Sequence, residues 1–327
     1  MSLGVFNLEV KMIRILIKTL TAIGFLMGAA QAQEQITLVV PFSAGGPTDQ
    51  VTRVLAEGLT KVTGKRYVVD NKPGAAGIVA AQYVARAPTD GSVYMVGSPA
   101  SLVINIGLYK KLSYNPEKDF IPVAGMTRSP LVLVTNPKVS ANDIKGLIEA
   151  AKQSKQSLPM GSPGSGTIPH LAGAYLSSQL GIEVLHVPYK GIAPAIAGLI
   201  AGDIVLVFDT LSTAIPNIQS GQLKALGIAS DKRNASLSNI PTLSEQGYPL
   251  QASSWFGLMA PVNTPESVVQ NMNAAVNQVI TSDDFKQRLL QNGSEALTGS
   301  PDDFARFIQS ERERWLPEIK RLNLSAD

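Results

Sequence analysis

The sequence predicts an α/β protein of two domains with largely parallel sheets. Three observations carry this expectation. Short β-branched runs alternate with helical patterns along most of the chain, the signature of strands joined by covering helices. Two continuous apolar runs, near 131–135 and 255–260, bracket one complete α/β unit. Beyond the second run the chain is helical, with no strands of its own for those helices to cover, so they are expected to pack back on the first sheet.

Ile36–Val40 is an apolar strand, and Pro41–Asp49 turns it into a helix. In that helix Val51, Val54, Leu55, Leu59 and Val62 recur at helical spacing, and Gly64 follows as a C-cap. Arg66–Asp70 reads as the next strand. Pro73-Gly74-Ala75-Ala76-Gly77 then opens an Ala-rich helix running to about Ala87, and Val93–Gly97 is a third strand. Leu131–Thr135 reads as a buried strand. The rhythm restarts with a helix from Ala141 to Lys152, a strand near Leu158–Gly161, a helix from Thr167 to Leu180 and a strand Val184–Val187. Helix Ala193–Ala201, strand Ile204–Phe208, a helix around Leu211–Gln219 and strand Leu223–Ile228 complete the unit. After Ser254–Ala260, helices are expected at Pro265–Ile280, Asp283–Gln291 and Pro301–Leu322. The implied domains are 33–133 plus 257–327, and 134–256, with two chain crossings and a cleft between them. Domain interfaces are common ligand sites.

Residues 1–32 read as a secretory signal peptide. Lys11, Arg14 and Lys18 precede an apolar stretch from Leu20 to Ala30, and Ala30-Gln31-Ala32 offers a small-x-small cleavage site before Gln33. The stretch is shorter than the roughly 20 residues that span a bilayer. Glu9 is unusual in a charged region of this kind, and Met12 reads as a more conventional start than Met1. Such a segment directs export from the cytoplasm. With no cysteine in the sequence, stability must come from packing without disulfides.

The full chain has 28 basic and 25 acidic residues. Without residues 1–32 the balance is 25 to 24, a formal charge of +1. A near-neutral surface gives no reason to expect nucleic acid as a partner.

Four turns fall at the carboxyl ends of expected strands, where open α/β sheets bind ligands. The first is Pro41–Asp49. Its Gly45-Gly46 pair lets backbone N–H groups approach a ligand, and the helix behind adds a partial positive charge, so an anion can be held without a cationic side chain. Ser43 and Thr48 can donate hydroxyls there, and Asp49 can cap or orient the turn. The second is Ser98–Ser101. The third, Gly161–Thr167, has three glycines and three hydroxyl residues in seven positions, more than a helix cap requires. The fourth is Phe208-Asp209-Thr210. Taken singly, each also suits a plain strand–helix junction, because Ser, Thr and Asp are ordinary caps. Two such turns facing each other would suit a ligand with two carboxylates. Lys190 and Arg128 read either as added cationic contacts or as solvated charges.

Catalysis finds little support. His170 falls on the first turn of a helix and His186 inside an apolar strand, so core or capping roles suit both better than metal ligation. There is no nucleophile elbow, no P-loop and no dinucleotide fingerprint. No metal and no cofactor is expected. Trp255 reads as a core residue or as a wall of the cleft.

At these residues the chain resembles the Bug-type periplasmic solute-binding proteins of tripartite tricarboxylate transporters. The resemblance covers the whole sequence after residue 32. It rests on Pro41–Asp49, Pro73–Gly77, Ala87–Gly91, Asn115-Pro116 with Asp119-Phe120, Gly164–Thr167 with His170-Leu171, Val187–Gly191, Gly202-Asp203 and Ile240–Thr242. It implies a type II periplasmic-binding-protein fold, two α/β domains joined by two crossing strands. It implies capture of a small carboxylate, whether a di- or tricarboxylate, an aromatic acid or an amino acid, by a monomer that delivers it to a membrane permease. The matching ligand positions are Phe42, Ser43, Gly46, Thr48 and Asp49 on one side. On the other they are Ser162, Gly164, Ser165, Gly166, Thr167 and His170. Ser98 and Asp209 match positions that vary with the ligand. Ser43 and Pro47 stand where the family's Gly-Gly turn varies, which leaves the substrate open. Asp209 would disfavour a second carboxylate beside it and favour an amine or hydroxyl. A ligand-sensing role for a signalling partner uses the same binding. The reading from another class is an exported hydrolase or isomerase working in the same cleft.

Overall fold

The computed structural model describes residues 35–154, 157–291 and 293–326. The expected signal peptide and its cleavage site lie outside the described residues.

The strands are β1 (Gln35–Val40), β2 (Arg66–Asn71), β3 (Val93–Gly97), β4 (Phe120–Thr135), β5 (Leu158–Ser162), β6 (Val184–Pro188), β7 (Leu206–Thr210), β8 (Lys224–Ile228), β9 (Ser253–Pro261) and β10 (Glu295–Ala296). The helices are α1 (Pro47–Thr63), α2 (Ile78–Val84), α3 (Asn105–Leu108), α4 (Ile144–Ser154), α5 (Ile168–Leu180), α6 (Ile192–Ala201), α7 (Leu211–Gln219), α8 (Glu266–Ile280), α9 (Asp283–Gln291) and α10 (Pro301–Arg321). This is a mixed α/β architecture.

Helix ends follow from local chemistry. α1 starts on Pro47, where a missing N–H costs nothing, and stops at Gly64, whose left-handed backbone returns its N–H to the Thr60 carbonyl at 3.0 Å. α4 begins three residues later than the sequence suggests, because Asp143 accepts from the Gly146 N–H at 2.7 Å and so caps the helix. α10 opens with a reciprocal capping box between Ser300 and Asp303.

The strands run in the order β2-β1-β3-β9-β4-β7-β5-β6, with β8 and β10 also paired to β4. β1 and β3 are parallel, as are β5 with β6 and β5 with β7. β4 organises the sheet. Its residues 120–130 pair antiparallel with β9, whereas 131–135 lie between β7 and β8. Only 131–135 was expected as a strand. The earlier part carries Pro122, Gly125 and Pro130, and its register with β9 shifts between Pro122 and Ala124 and between Gly125 and Thr127.

The inner strands are buried on both faces, whereas the edge strands β2 and β6 are partly exposed. Leu38 and Val40 of β1 join one cluster with Leu55, Leu59 and Val276, and Val39 faces another with Met95, Leu102 and Phe304. On β7, Leu206 and Phe208 face that second cluster, while Val207 packs with Ala195, Leu199 and Ile215. Burial on both faces explains why these strands read as continuous apolar runs. Trp255 is fully buried and donates from Nε1 to Glu311 at 2.9 Å, so it is a core residue and walls no cleft. Among the described residues, no helix is long and apolar enough to cross a membrane.

Candidate functional site

The first turn is built around Asp49. Its carboxylate accepts the Gly45 N–H at 2.9 Å and both arms of Arg53, Nε at 2.9 Å and an Nη at 3.0 Å. Burial alone would raise this carboxyl, but the bonds from Arg53 and Gly45 outweigh it and hold it below the usual range. Asp49 is therefore saturated and fixes the turn from behind. Arg53 also reaches Asn71 Oδ1 at 3.3 Å, and Asn71 Nδ2 donates to the Phe42 carbonyl at 3.0 Å. Phe42 and Gly46 are half-buried, Ser43 is exposed and Thr48 is buried. Gly46 caps α1 with no side-chain bond, so the helix end faces the turn uncovered.

Two further turns converge on it. Gly77 has φ of +90°, and a Cβ placed there would lie 3.3 Å from side-chain carbons of both Pro41 and Ser101. Only glycine lets the three segments meet so closely. Ser98 is fully buried and bonded within its own turn. Its N–H donates to Ser101 Oγ at 3.1 Å, and the two hydroxyls lie 3.3 Å apart. Its hydroxyl thus braces the loop.

Sequence reasoning missed Asn105, which is fully buried. Its Nδ2 donates to the Ala76 carbonyl at 3.1 Å and to the Tyr114 hydroxyl at 3.3 Å, and that hydroxyl donates to the Ser101 carbonyl at 2.5 Å. One side chain ties two turns together. The available signal was a lone amide within the apolar run Leu102-Val103-Ile104-Asn105-Ile106.

The second cluster is the turn from β5 into α5. Ser162 is fully buried. Its Oγ lies 2.7 Å from His186 Nε2, donates to the Gly164 carbonyl at 3.0 Å and accepts the Gly164 N–H at 3.1 Å. Thr167 Oγ1 also donates to the Gly164 carbonyl, at 2.7 Å. The Gly166 N–H donates to His170 Nδ1 at 3.3 Å, and Ser165 is exposed. His170 and His186 stack with ring centroids 3.9 Å apart. Burial, and then the neighbouring imidazole, lower His170 to about 4, and burial also lowers His186. Both rings are neutral near pH 7 and brace the turn. The sequence predicts core or capping roles for the two histidines separately; the topology puts one on α5 and one on β6 so that they meet.

The two clusters touch. Gly166, at φ +76°, faces α3: a Cβ there would lie 2.7 Å from Leu108 Cδ1 and 3.9 Å from Asn105 Oδ1. Asp209 lies at the end of β7, the strand beside β5. Its Oδ1 accepts the Thr210 N–H at 2.7 Å and the Thr213 hydroxyl, and its Oδ2 is buried without a partner among the described residues. Burial pushes this carboxyl up to about 7, with the two hydrogen bonds opposing. Lys190 is exposed, and Arg128 pairs with Glu295 at 2.8 Å. Among the described residues, no group of three His, Cys, Asp or Glu side chains could hold a metal ion.

Residues 51–324 match the family described as "Tripartite tricarboxylate transporter family receptor". The chain belongs to this receptor family. Its members are periplasmic solute-binding proteins, and solved structures agree with that membership. Rpa4515 of R. palustris, solved with adipate, is 34% identical and superposes with a TM-score of 0.85 over 90% of this chain and 99% of its own. The periplasmic binding protein BugD is 32% identical, with a TM-score of 0.82 over 89% and 98%. MatC (Rpa3494) from Rhodopseudomonas palustris, solved with bound malate, is 32% identical, with a TM-score of 0.81 over 87% and 98%. The receptor-family fold therefore extends across nearly all of both chains in each comparison.

Proposed function

We propose that the protein is a periplasmic receptor that grips a small carboxylate between the Pro41–Asp49 and Gly161–Thr167 turns and hands it to a membrane permease of the tripartite tricarboxylate type. The observation that carries this reading is the meeting of Gly166 with Leu108, which sets the second turn against the first cluster. Each turn presents glycines, hydroxyls and a helix N-terminus, a combination that favours anions. In the first turn the one buried carboxylate, Asp49, is already neutralised by Arg53. Relatives of the same fold hold adipate and malate.

Phe42, Ser43, Gly46, Thr48, Ser165 and Gly166 line the grip in this reading. Asp49, Ser98, Ser162, Gly164, Thr167 and His170 hold its shape, and Asp209 tunes what fits. The two lobes are 33–133 with 257–327, and 134–256, moving about β4 and β9. Closure over the ligand is then a shift between open and closed populations. The protein acts as a monomer after cleavage between Ala32 and Gln33.

It performs no chemistry on its ligand. Ser162 and His186 are close enough for a nucleophile–base pair, but Ser162 is fully buried and its hydroxyl is engaged by Gly164. A thermal-shift screen of di- and tricarboxylates, aromatic acids and acidic amino acids tests the reading, because native-state ligands raise the melting temperature. A carboxylate that raises it and is recovered unchanged supports a receptor. Turnover of the bound acid would favour an enzyme, and no shift with any acid would overturn the proposal.

A further inference from the structure

The side-chain amide of Asn105 has a fixed orientation. Both Nδ2 protons are used within the first cluster, on the Ala76 carbonyl and on the Tyr114 oxygen, which has given its own proton to Ser101. Flipping the amide would set its oxygen against the Ala76 carbonyl, so Oδ1 is an acceptor only. That oxygen is buried and has no partner among the described residues. It faces the second turn, 3.9 Å from where a Cβ of Gly166 would stand.

The nearby turn does not supply the missing donor. The Gly166 N–H is directed at His170 Nδ1, and the Thr167 hydroxyl at the Gly164 carbonyl. A buried acceptor left unpaired is costly and calls for an explanation, one of which is a group absent from the free protein. A buried acceptor without a donor, set against the second turn, asks for a hydrogen-bond donor on whatever lies between the turns.

We propose that Asn105 is a specificity-determining residue whose Oδ1 accepts a hydrogen bond from a hydroxyl or ammonium group on the bound carboxylate. The inference rests on the carboxylate-receptor reading above and narrows its ligand class to hydroxy- or amino-dicarboxylates, in preference to unsubstituted ones. Movement of Gly166 away from Leu108 uncovers Oδ1, and closure buries it again with its donor. Sites built to bond a ligand's hydroxyl or amine reject the analogue lacking it far more strongly than sites that sense size alone.

The test is calorimetry of the purified protein with L-malate and L-aspartate, each against succinate. At least one substituted acid is expected to bind about tenfold or more tighter than succinate. Asn105→Ala should abolish that preference, weakening the substituted acid about tenfold while changing succinate by less than about threefold. Tyr114→Phe, which disturbs the same network but leaves Oδ1 in place, should keep the preference. The wild-type comparison stands even where Asn105→Ala fails to fold. Equal binding of succinate and both substituted acids would overturn the inference and leave the carboxylate reading intact, as would loss of the preference in Tyr114→Phe. Binding of no carboxylate at all would overturn both.

Discussion

His170 and His186 stack nearly face to face, with planes 19° from parallel, and each ring holds a different part of the Gly161–Thr167 turn. His170 accepts the Gly166 N–H through Nδ1, so that nitrogen must be unprotonated. The free imidazole titrates near 6.5. In the fold His170 is lowered to about 4, so between these values the unfolded chain binds a proton that the folded chain does not. Stability therefore falls as pH drops from 6.5 towards 4. His170→Asn, which keeps an acceptor but removes the titration, should flatten this acid limb in melting curves. His170→Phe should also loosen the turn and weaken ligand binding. An unchanged acid limb in both variants would show that the ring is not the titrating group.

Asp209 acts in the opposite direction. Its folded pKa of about 7 lies above the ~3.9 of a free aspartate. Between those values the folded state keeps a proton that the unfolded state has released, so stability falls as pH rises, by at most ~1.4 kcal/mol per pH unit. Above pH 7 the full cost is present. Asp209→Asn should raise the melting temperature at pH 8 and leave it nearly unchanged at pH 4. A loss of stability at both pH values would contradict this account.

Asp49 anchors the first turn through Gly45 and Arg53. Asp49→Ala should release the turn and weaken carboxylate binding by about tenfold, ~1.4 kcal/mol. Arg53 is half exposed, so the ion pair itself adds little to global stability, and the melting temperature of the unliganded protein should change only slightly. Unchanged affinity in calorimetry would remove Asp49 from the site.

Gly166→Ala combines two faults, a left-handed backbone and a methyl 2.7 Å from Leu108 Cδ1. It should hold the turns apart and lower affinity more than it lowers the melting temperature. Affinity equal to that of the wild type would mean that the Gly166–Leu108 approach has no part in binding.

Glu311→Ala leaves the buried Trp255 Nε1 without its acceptor and should cost about 1–3 kcal/mol in denaturant unfolding, with binding preserved. A variant as stable as the wild type would show that this bond carries no net stability.

The strand–helix alternation was legible because β1 and β7 are buried on both faces and the turns after them carry glycines and caps. β4 was legible only from Leu131 onward. Pro122, Gly125 and Pro130 read as breakers, and only pairing with β9 across two register shifts keeps them extended. The turns that carry the candidate site were visible as clusters of glycine and hydroxyl residues. The direction in which each side chain acts was not. Ser98, Ser162 and Thr167 resemble ligand donors in sequence, yet the structure turns their hydroxyls onto their own loops. The meeting of His170 with His186 depends on β5 and β6 pairing in parallel with α5 packed across both, and Asn105 depends on contacts with Ala76 and Tyr114. No local pattern encodes either.

The central claim, that the Pro41–Asp49 and Gly161–Thr167 turns close on a carboxylate, is tested most directly by a crystal structure grown with a dicarboxylate at saturating concentration. The account predicts one carboxylate group at the uncapped end of α1, within hydrogen-bond distance of backbone N–H groups or hydroxyls of Ser43–Thr48, with Ser165 and Gly166 closed over the ligand. A ligand bound elsewhere, or an empty cleft at that concentration, would contradict it.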